Sequence, residues 1–551
     1  MTQEQKSRTR GGFFSAEGQG PANDSLQLRN GYAAPLDAIP VMGFSRFAHW
    51  LGTLAGEKSR STEGPTCRVC AFFALPGPLL PWAESREQQP GGAQERSVSE
   101  NGEASFTLLA VLADDAAGVL HLAATEVGDR YPSLTPRIPA LHLFEREAHE
   151  KYGIVPEGHP WLKPLRFSRP GGPDVGFMDF YRVEGDEVHE VAVGPIHAGV
   201  IECGHFRFQC LGEEVMHLEI SLGYHHRGME ALLAGGPHRA TLPLLETAAG
   251  DNTIAHTWAY CTLVEAFAEQ LPSPRGQLIR SLALELERLA NHTGDLGALA
   301  GDVGFLSTLS YCGRLRGDWL NTSAMICGSR FGRGLLCPGG AAFDLDAQLV
   351  HSLKDKVAGT FRDVQGAVKL MWDSPSVMSR FTGIGIVPES VARSLGLVGP
   401  AARASGLDCD LRRSHPLSGL PMSPPPYKGR SGDVLSRAEA RHEEIVNSAA
   451  FCSRLLERFL DDGGEEVQCA PFERPPFLKG RSISVALVEG WRGEVCHVGI
   501  TDRGGRFAEY VVVDPSFHNW MGLAMALRGQ QISDFPLCNK SFNLSYCGHD
   551  L

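Results

Sequence analysis

The apolar positions of the first third of the chain form short runs and one amphipathic segment. Two apolar runs of strand length, Phe106–Ala113 and Val119–Val127, follow each other closely and predict paired strands of a small sheet. A short charged helix is predicted to follow over Leu143–Tyr152, because Gly153 is the residue type that commonly ends a helix. This pattern predicts a small module in which a sheet is combined with a helix.

Further along, the period of the pattern changes twice. Polar and apolar residues alternate over Gly204–Gln209 and over Val215–Ile220, on either side of Gly212, which predicts a β-hairpin. Apolar residues at helical spacing then predict two long helices, over Thr253–Gln270 and Gln277–Asn291, with two prolines between them.

One helical face is polar and has two interpretations. Glu285, Arg288 and His292 recur at a spacing that puts them on one side of the second long helix. They form either a solvated stripe or a buried seam in a helical bundle, and in a seam each charge needs a partner to offset its desolvation.

Composition sets the class of the chain. Its 551 residues, 43% hydrophobic and 21% charged, predict a globular protein of two or three domains. The net charge of −13 and the absence of a basic run argue against nucleic acid as a partner. No run approaches 18 uninterrupted apolar residues, and the polar stretch Met1–Ser25 lacks the apolar core of an export signal, so we expect neither a membrane span nor secretion.

The pattern and composition together predict an α+β protein. A small N-terminal α/β sandwich module precedes a mainly helical bundle that carries small antiparallel sheets. Glu84–Glu103 is a polar run expected to be a surface loop. The expected divisions are a polar and partly disordered N-terminus with a short ordered piece over Pro40–Leu54, the small module, a linker rich in Pro and Gly, and the large module, over residues 1–65, 66–168, 169–187 and 188–551.

The 14 cysteines do not form an evident metal motif. Most stand singly among apolar residues, as buried thiols do in a reducing compartment. Cys67 and Cys70 form the one close pair, but a structural zinc site usually draws on two such pairs. The alternatives for this pair are an incidental spacing and a redox pair, and its role stays open.

The small module resembles a known family. Glu145-Arg146-Glu147, Gly153-Ile154 and Gly158-His159-Pro160 occur in the order seen in the 30-kDa subunit of respiratory complex I. The resemblance implies that Glu145 and Glu147 contribute to docking with neighbouring subunits, whereas a solvated helix face is the alternative.

The large module carries a longer ordered series of motifs. It opens with Gly194-Pro195-Ile196-His197 and continues through Gly223-Tyr224-His225-His226-Arg227-Gly228-Met229-Glu230. This series resembles both the complex I 49-kDa subunit and the large subunit of nickel–iron hydrogenases. The fused order of the two modules is similar to group 4 membrane-bound hydrogenases of the hydrogenase-4 and formate hydrogenlyase type.

The four cysteines that hold nickel and iron in that family are missing. The resemblance puts Ala249, Asn252, Ser545 and Gly548 at their positions. Nickel in such a site needs soft thiolate donors, which none of these residues supplies. We therefore expect no metal, and we take an active hydrogenase with unusual ligands as a minor alternative.

The resemblance also marks the residues that remain around the old cavity. Glu202 is the expected proton relay, because a glutamate near this position relays protons in the hydrogenase family. Ile201 and Gly250 occupy the positions of the His and Tyr that hold the quinone head group in complex I. The further candidates for catalysis are His197, His205, Asp251 and His256, and those for cofactor binding are Arg403, Asp410, Arg412, Cys547 and His549.

The resemblance implies a subunit of an oxidoreductase complex. Expected partners are a complex I 20-kDa-like iron–sulfur subunit, other hydrophilic subunits and antiporter-like membrane subunits, with the chain peripheral on the cytoplasmic face of the inner membrane. A quinone is the one cofactor expected in the chain's own cavity, the iron–sulfur cluster belongs to the partner, and no Gly-x-Gly-x-x-Gly motif predicts a nicotinamide site. The competing hypothesis is a structural or coupling subunit whose cavity has no chemistry.

Overall fold

The computed structural model describes most of the chain. The described residues are 24–56, 67–79, 105–169, 171–197, 201–417, 424–425, 427, 429, 431–461 and 477–551. The predicted surface loop Glu84–Glu103 and residues 1–23 of the segment predicted to be partly disordered lie outside them.

Strands occur at both ends of the chain and around its centre. They are β1 (Leu26–Leu28), β2 (Ala33–Pro35), β3 (Arg68–Pro76), β4 (Phe106–Asp114), β5 (Val119–Val127), β6 (Arg130–Pro132), β7 (Val155–Glu157), β8 (Val188–Val193), β9 (His205–Leu211), β10 (Glu214–Ser221), β11 (Leu336–Cys337), β12 (Gly340–Ala341), β13 (Ser482–Gly490), β14 (Gly493–Thr501) and β15 (Phe507–Val513).

Helices dominate the region between β10 and β13. They are α1 (Phe44–Leu54), α2 (His142–Tyr152), α3 (Met229–Leu233), α4 (Thr241–Leu245), α5 (Thr253–Phe267), α6 (Pro274–Asp302), α7 (Leu306–Cys327), α8 (Ala347–Trp372), α9 (Pro375–Phe381), α10 (Glu389–Leu395), α11 (Gly399–Ala404), α12 (Leu411–Ser414), α13 (Val434–Asp461), α14 (Pro515–Ala526), α15 (Phe535–Phe542) and α16 (Tyr546–Asp550).

The N-terminal module is built on a four-stranded antiparallel sheet with the order β1-β5-β4-β3. The predicted pairing of β4 with β5 is confirmed along the whole length of both strands. Helix α2 ends as predicted, because Gly153 takes a left-handed conformation with φ 78°. Apolar residues of α1 and α2, such as Phe47, Trp50 and Phe144, share the core of this sheet.

The large module combines a helical bundle with two larger antiparallel sheets and the two-stranded antiparallel pair β11–β12. Helices α5 to α8 and α13 pack against one another, β8 to β10 form one sheet, and β13 to β15 form most of the other. The predicted hairpin is β9–β10, turning at Gly212. Helix α6 begins earlier than predicted, because Ser273 caps it and Pro274 suits its first turn. The predicted α+β class is confirmed, and no helix in the described part of the chain is long and apolar enough to cross a membrane.

The sheet of β13 to β15 lies between the two cores. Every residue of β13 and β14 is buried. Ala486 and Val488 belong to the core of the helical bundle, while Val485 and Leu487 belong to the core of the N-terminal module. Since successive residues of a strand point to opposite faces, burial on both faces explains the unbroken apolar run of β13.

The N-terminal segment contributes to both modules, which its polar composition did not predict. β1 pairs with β5 of the small module, and β2 pairs with β13 of the large one. The expected ordered piece over Pro40–Leu54 is present as α1, but order in the described residues extends from 24 to 56. The segment 1–65 is therefore not separate from the modules over its described part.

The polar face of α6 is a buried seam, so the solvated-stripe interpretation is wrong. Glu285, Arg288 and His292 are all buried. Arg288 donates from Nε to Glu285 at 3.1 Å and from Nη1 to Glu444 of α13 at 3.3 Å, and His292 Nε2 lies 2.9 Å from the same Glu444. The seam joins α6 to α13 by paired charges.

Candidate functional site

Three predicted residues lie in or next to the loop that leads into β9. Glu202 Oε2 accepts hydrogen bonds from the backbone N–H groups of Tyr546 at 3.0 Å and Cys547 at 3.3 Å, at the start of α16. His197 Nε2 lies 2.9 Å from a backbone carbonyl oxygen of the same loop and donates to it. His205 is partly buried, and burial lowers the pKa of its imidazole. Glu202 thus links this loop to the C-terminal helix.

The four positions of the missing cysteines lie at the starts of two helices. Ala249 and Asn252 come directly before α5, and Ser545 and Gly548 are at the start of α16. Ala249 is fully buried and has no donor atom. The Ser545 hydroxyl is engaged as a helix cap, because its Oγ accepts from the Gly548 N–H at 2.9 Å.

Packing also leaves no room for a ligand side chain at Gly548. A Cβ atom at Gly548 would lie 2.7 Å from the carboxyl carbon of Asp514. The Asn252 amide is fully buried, forms no hydrogen bond among the described residues, and packs against Gly490, where an added Cβ would lie 2.8 Å from its Oδ1. The donor set and the space therefore do not fit a nickel–iron centre.

An ion pair between the buried Arg492 and the partly exposed Asp251 connects the two helix starts. Arg492 donates from Nη1 and Nη2 to the two carboxylate oxygens of Asp251, at 2.6 and 2.7 Å. Its Nε donates to the carbonyl oxygen of Asn543 at 2.6 Å, just before α16, and its guanidinium stacks over the Trp491 ring at 3.9 Å. Burial alone would lower the pKa of Arg492, but the Asp251 carboxylate holds it above its usual value. Asp251, through Arg492, thus holds together the two segments that carry the positions of the missing cysteines.

His256 belongs to a buried chain of hydrogen bonds with consistent directions. The Tyr510 hydroxyl lies 2.8 Å from His497 Nδ1, His497 Nε2 lies 3.0 Å from His256 Nδ1, and His256 Nε2 lies 3.0 Å from Asp514 Oδ2. Burial lowers the pKa of His497 well below its usual value, and burial raises that of the Tyr510 hydroxyl. Burial would also raise the pKa of Asp514, but the hydrogen bond from His256 and the nearby charges hold it below its usual value. Such a chain can move a proton between its ends when its donors and acceptors exchange roles.

A second buried carboxyl lies beside Asp251. Glu287 Oε2 accepts from the Ile254 N–H at 2.9 Å, at the start of α5. Burial raises the pKa of Glu287 to about 8 in spite of that hydrogen bond, so the side chain is largely protonated at neutral pH. Asp251 and Glu287 line one cavity together with Asn291 and Arg330.

Arg403, Asp410 and Arg412 lie in the charged seam. Arg403 pairs with Glu444 and with Glu489 at 2.8 Å, and Arg412 pairs with Asp410 at 2.6 Å. All five side chains are buried. Their charges are satisfied by one another, and their proposed part in cofactor binding stays a prediction.

Cys547 and His549 lie on α16. The Cys547 thiol is 3.3 Å from Ser545 Oγ, and burial, then the Glu202 charge, raise its pKa to about 12. His549 Nδ1 lies 2.9 Å from Asp550 Oδ1, and its ring stacks on Phe517. Cys547 is therefore a neutral thiol beside Glu202, and His549 is part of the packing of the C-terminus.

Sequence reasoning missed several residues that the structure brings to the site. Arg492, His497 and Asp514 come from the C-terminal sheet and the residue that follows it, and Glu287 comes from α6. The segment Glu489–Glu494 contains a signal, since Arg492 lies between Gly490 and Gly493 in a turn where a long side chain projects from a tight backbone. Nothing in the sequence indicated that Asp514 and Glu287 are buried, because single acidic residues are usually solvated.

Two protein families match the chain in the expected order. The respiratory-chain NADH dehydrogenase 30 Kd subunit family matches residues 92–171, and the respiratory-chain NADH dehydrogenase 49 Kd subunit family matches residues 302–476. The first match covers the motifs of the small module, and the second lies within the large module.

Curated relatives extend the match over most of the chain. Formate hydrogenlyase subunit 5 of Escherichia coli K12 is 31% identical over 443 residues, which cover 76% of this chain and 76% of the relative. The carbon monoxide-induced hydrogenase of Rhodospirillum rubrum is 31% identical over 363 residues, 64% of this chain and 97% of that protein. A chain of the archaeal membrane-bound sulfane sulfur reductase has the same fold, with a TM-score of 0.61, 21% identity and coverage of 67% of this chain and 100% of that one.

The chain belongs to the family of fused 30-kDa and 49-kDa complex I-like large subunits that includes formate hydrogenlyase subunit 5. Members of this family are subunits of oxidoreductase complexes, and the chain is a subunit of that class.

Proposed function

We propose that this chain is the nickel-free peripheral subunit of a membrane-associated oxidoreductase complex. It receives electrons from a partner iron–sulfur subunit and couples their arrival to quinone or proton chemistry on the cytoplasmic face of the membrane. The observation that carries the proposal is made at the old metal site, which consists of the four positions Ala249, Asn252, Ser545 and Gly548. It has no thiolate at any of its four positions, and the Arg492–Asp251 ion pair bridges the helices that would hold the metal.

The polar groups around that site support a proton role. Glu202 lies beside the Cys547 thiol, and the chain from Tyr510 to Asp514 ends next to Gly548, one residue further along α16. Proton transfer requires titratable groups within hydrogen-bond reach of one another. In this proposal Glu202 exchanges protons between the exposed loop that carries it and the buried groups around α16.

A second candidate function is a coupling subunit without redox chemistry of its own. Ile201, at the position of the quinone-contacting histidine, is half-exposed on its loop, and Gly250, at the position of the tyrosine, has no side chain. Neither can donate a hydrogen bond from a side chain to a quinone oxygen. Under this alternative, the buried charge network passes a conformational change to ion-translocating partners.

One experiment on the assembled complex tests the proposal. The complex is purified through a tag on this chain, and nickel per chain and quinone-dependent turnover are measured for the wild type, Glu202→Gln and the control Glu213→Gln. Glu213 is an exposed residue of the β9–β10 turn, outside the site. We expect nickel far below one per chain, quinone-dependent turnover in the wild type and the control, and a loss of about 100-fold in Glu202→Gln.

Each other outcome has a distinct meaning. Near-stoichiometric nickel held by this chain would contradict the nickel-free site. Turnover that Glu202→Gln leaves unchanged would remove the relay role of Glu202. A nickel-free complex without any quinone-dependent turnover would favour the coupling subunit over the redox subunit.

A further inference from the structure

Three potential metal ligands converge at one end of the N-terminal sheet. The Cys67 thiol, an Asp114 carboxylate oxygen and a ring nitrogen of His121 all lie within 4.8 Å of one another. His121 Nε2 is 4.0 Å from Asp114 Oδ2. This cluster lies in the N-terminal module and shares no residue with the old nickel–iron site.

Strand register explains why these three side chains meet. Arg68 of β3 pairs with Ala113 of β4, so extending the antiparallel register by one residue sets Cys67 opposite Asp114. Asp114 pairs with Val119 of β5, and His121 follows two residues later on the same face of the sheet. The cluster is therefore fixed by three adjacent strands.

The surroundings of the cluster suit a bound cation. Cys67 and His121 are buried, and the Asp114 side chain is about a quarter exposed, which leaves a path for a water ligand. His121 Nδ1 lies 2.9 Å from the Ser25 hydroxyl, and in the tautomer that donates to this oxygen Nε2 carries the lone pair on the side of Asp114. A histidine whose second nitrogen is held in this way is the usual arrangement of a metal ligand.

Backbone contacts orient the Asp114 carboxylate. Asp114 Oδ1 accepts from the Ala116 and Ala117 N–H groups at 3.0 and 2.9 Å, which directs Oδ2 towards His121.

We propose that Cys67, Asp114 and His121 form a zinc site, completed by water. A thiolate, an imidazole and a carboxylate are the donors that Zn²⁺ takes, at about 2.0–2.3 Å in tetrahedral geometry. Donors held within 4.8 Å of one another need only small side-chain rotations to reach the separations of about 3.3–3.8 Å that such geometry implies. Binding releases the thiol proton of Cys67 and ties the ends of β3, β4 and β5 together.

Cys70 provides a matched control for Cys67. It is a buried cysteine three positions further along, and its surroundings are Arg68, Glu494 and Cys496, away from the cluster. If the proposal holds, the two thiols differ in function although they form the one close Cys pair of the sequence.

The test measures zinc and cobalt binding by the purified full-length chain. After removal of bound metal and addition of one equivalent of Zn²⁺ followed by gel filtration, we expect about one zinc per chain in the wild type and in Cys70→Ser. We expect less than a tenth of that in Cys67→Ser and His121→Gln. With Co²⁺ instead, the wild type and Cys70→Ser gain a near-ultraviolet thiolate-to-cobalt absorption band that Cys67→Ser lacks.

The test compares metal binding by the wild type with metal binding by the three variants. Equal zinc retention in Cys67→Ser and the wild type, or a wild-type chain that retains no zinc and gives no cobalt band, would overturn the proposal. Circular dichroism of each variant shows whether it is folded. If Cys67→Ser fails to fold, His121→Gln decides, because a cobalt band and a zinc content equal to those of the wild type would show that thiols elsewhere hold the metal and would overturn the proposal.

Discussion

Gly548 shows at the scale of one residue why the old metal site cannot be rebuilt simply by restoring cysteines. An added Cβ would lie 2.7 Å from the carboxyl carbon of Asp514. Asp514 cannot move aside cheaply, because His256 Nε2 and the Ser516 N–H both hold its carboxylate. The fourth ligand position has thus become part of a packed polar core.

Gly548→Ala is therefore expected to destabilise the chain. The clash with Asp514 costs about 1–3 kcal/mol of unfolding free energy, more than the ~1 kcal/mol that alanine gains over glycine in a helix. The control is Gly250→Ala in the loop before α5, where an added Cβ would meet nothing closer than an Arg333 nitrogen at 3.9 Å. Urea unfolding of both variants measures the difference. A Gly548→Ala chain as stable as the wild type would mean that Asp514 yields and that a cysteine fits.

Elements differ in how well the sequence predicted them. The β9–β10 hairpin follows from the local alternation of polar and apolar residues. Helices α5 and α6 were recognised from apolar residues at helical spacing, although every residue of α5 and most residues of α6 are buried. β1 and β2 have three residues each and exist through pairing with β5 and β13, far away in the sequence, so no local pattern indicated them.

The sequence likewise predicted some residues of the candidate site and missed others. Motif spacing located the four ligand positions and Glu202, since these lie in continuous segments of the sequence. The ion pair of Arg492 with Asp251 joins residues 241 positions apart, and neither residue belongs to a periodic pattern. Such a contact depends on the packing of the sheet against α5, which a single sequence does not encode in any short window.

The seam between α6 and α13 makes a prediction at the scale of elements. Glu444 pairs with Arg288, His292 and Arg403 in the buried interior. Glu444→Gln keeps the size of the side chain but leaves two buried arginines with less negative charge, and we expect a loss of about 2–4 kcal/mol in the free energy of unfolding. The control is Glu457→Gln, also on α13, which removes an exposed ion pair with Lys354 of α8. It should lower the free energy of unfolding by at most about 0.5 kcal/mol.

The same variant has a defined pH dependence. Burial alone would raise the pKa of Glu444, but Arg403 and the hydrogen bond from His292 outweigh it and hold the pKa well below its usual range. A carboxyl with a lowered folded pKa stabilises the protein above its unfolded pKa of about 4.3, and this contribution is lost as the pH falls towards the folded value. The gap between wild type and Glu444→Gln should therefore narrow by about 1 kcal/mol from pH 7 to pH 3.5. A gap that does not change with pH would show that Glu444 is not ionised in the folded chain.

At the scale of the whole molecule, the two modules form one packed body. The N-terminal segment provides a strand to each, and Asn30 lies between them, donating to the carbonyl oxygens of His415 and Leu487 at 2.8 and 2.9 Å. Ion pairs cross the same boundary, including Arg68 with Glu494 at 2.8 Å and Lys151 with Glu509 at 2.8 Å. The two modules are thus joined by strand pairing, hydrogen bonds and ion pairs as well as by the covalent linker.

This architecture predicts that the two modules stay associated after the linker between them is cleaved. A protease recognition sequence inserted between the exposed residues Gly171 and Gly172 would allow cleavage between the modules. We expect the two fragments to co-elute in size-exclusion chromatography, because β2 stays paired with β13. Asn30→Ala leaves buried backbone groups unpaired at a cost of about 1–3 kcal/mol, so its fragments should separate at a lower urea concentration. The control Thr53→Ala, at a partly exposed position of α1, should behave like the wild type. Fragments that separate without denaturant would mean that the linker, and not the shared sheet, holds the modules together.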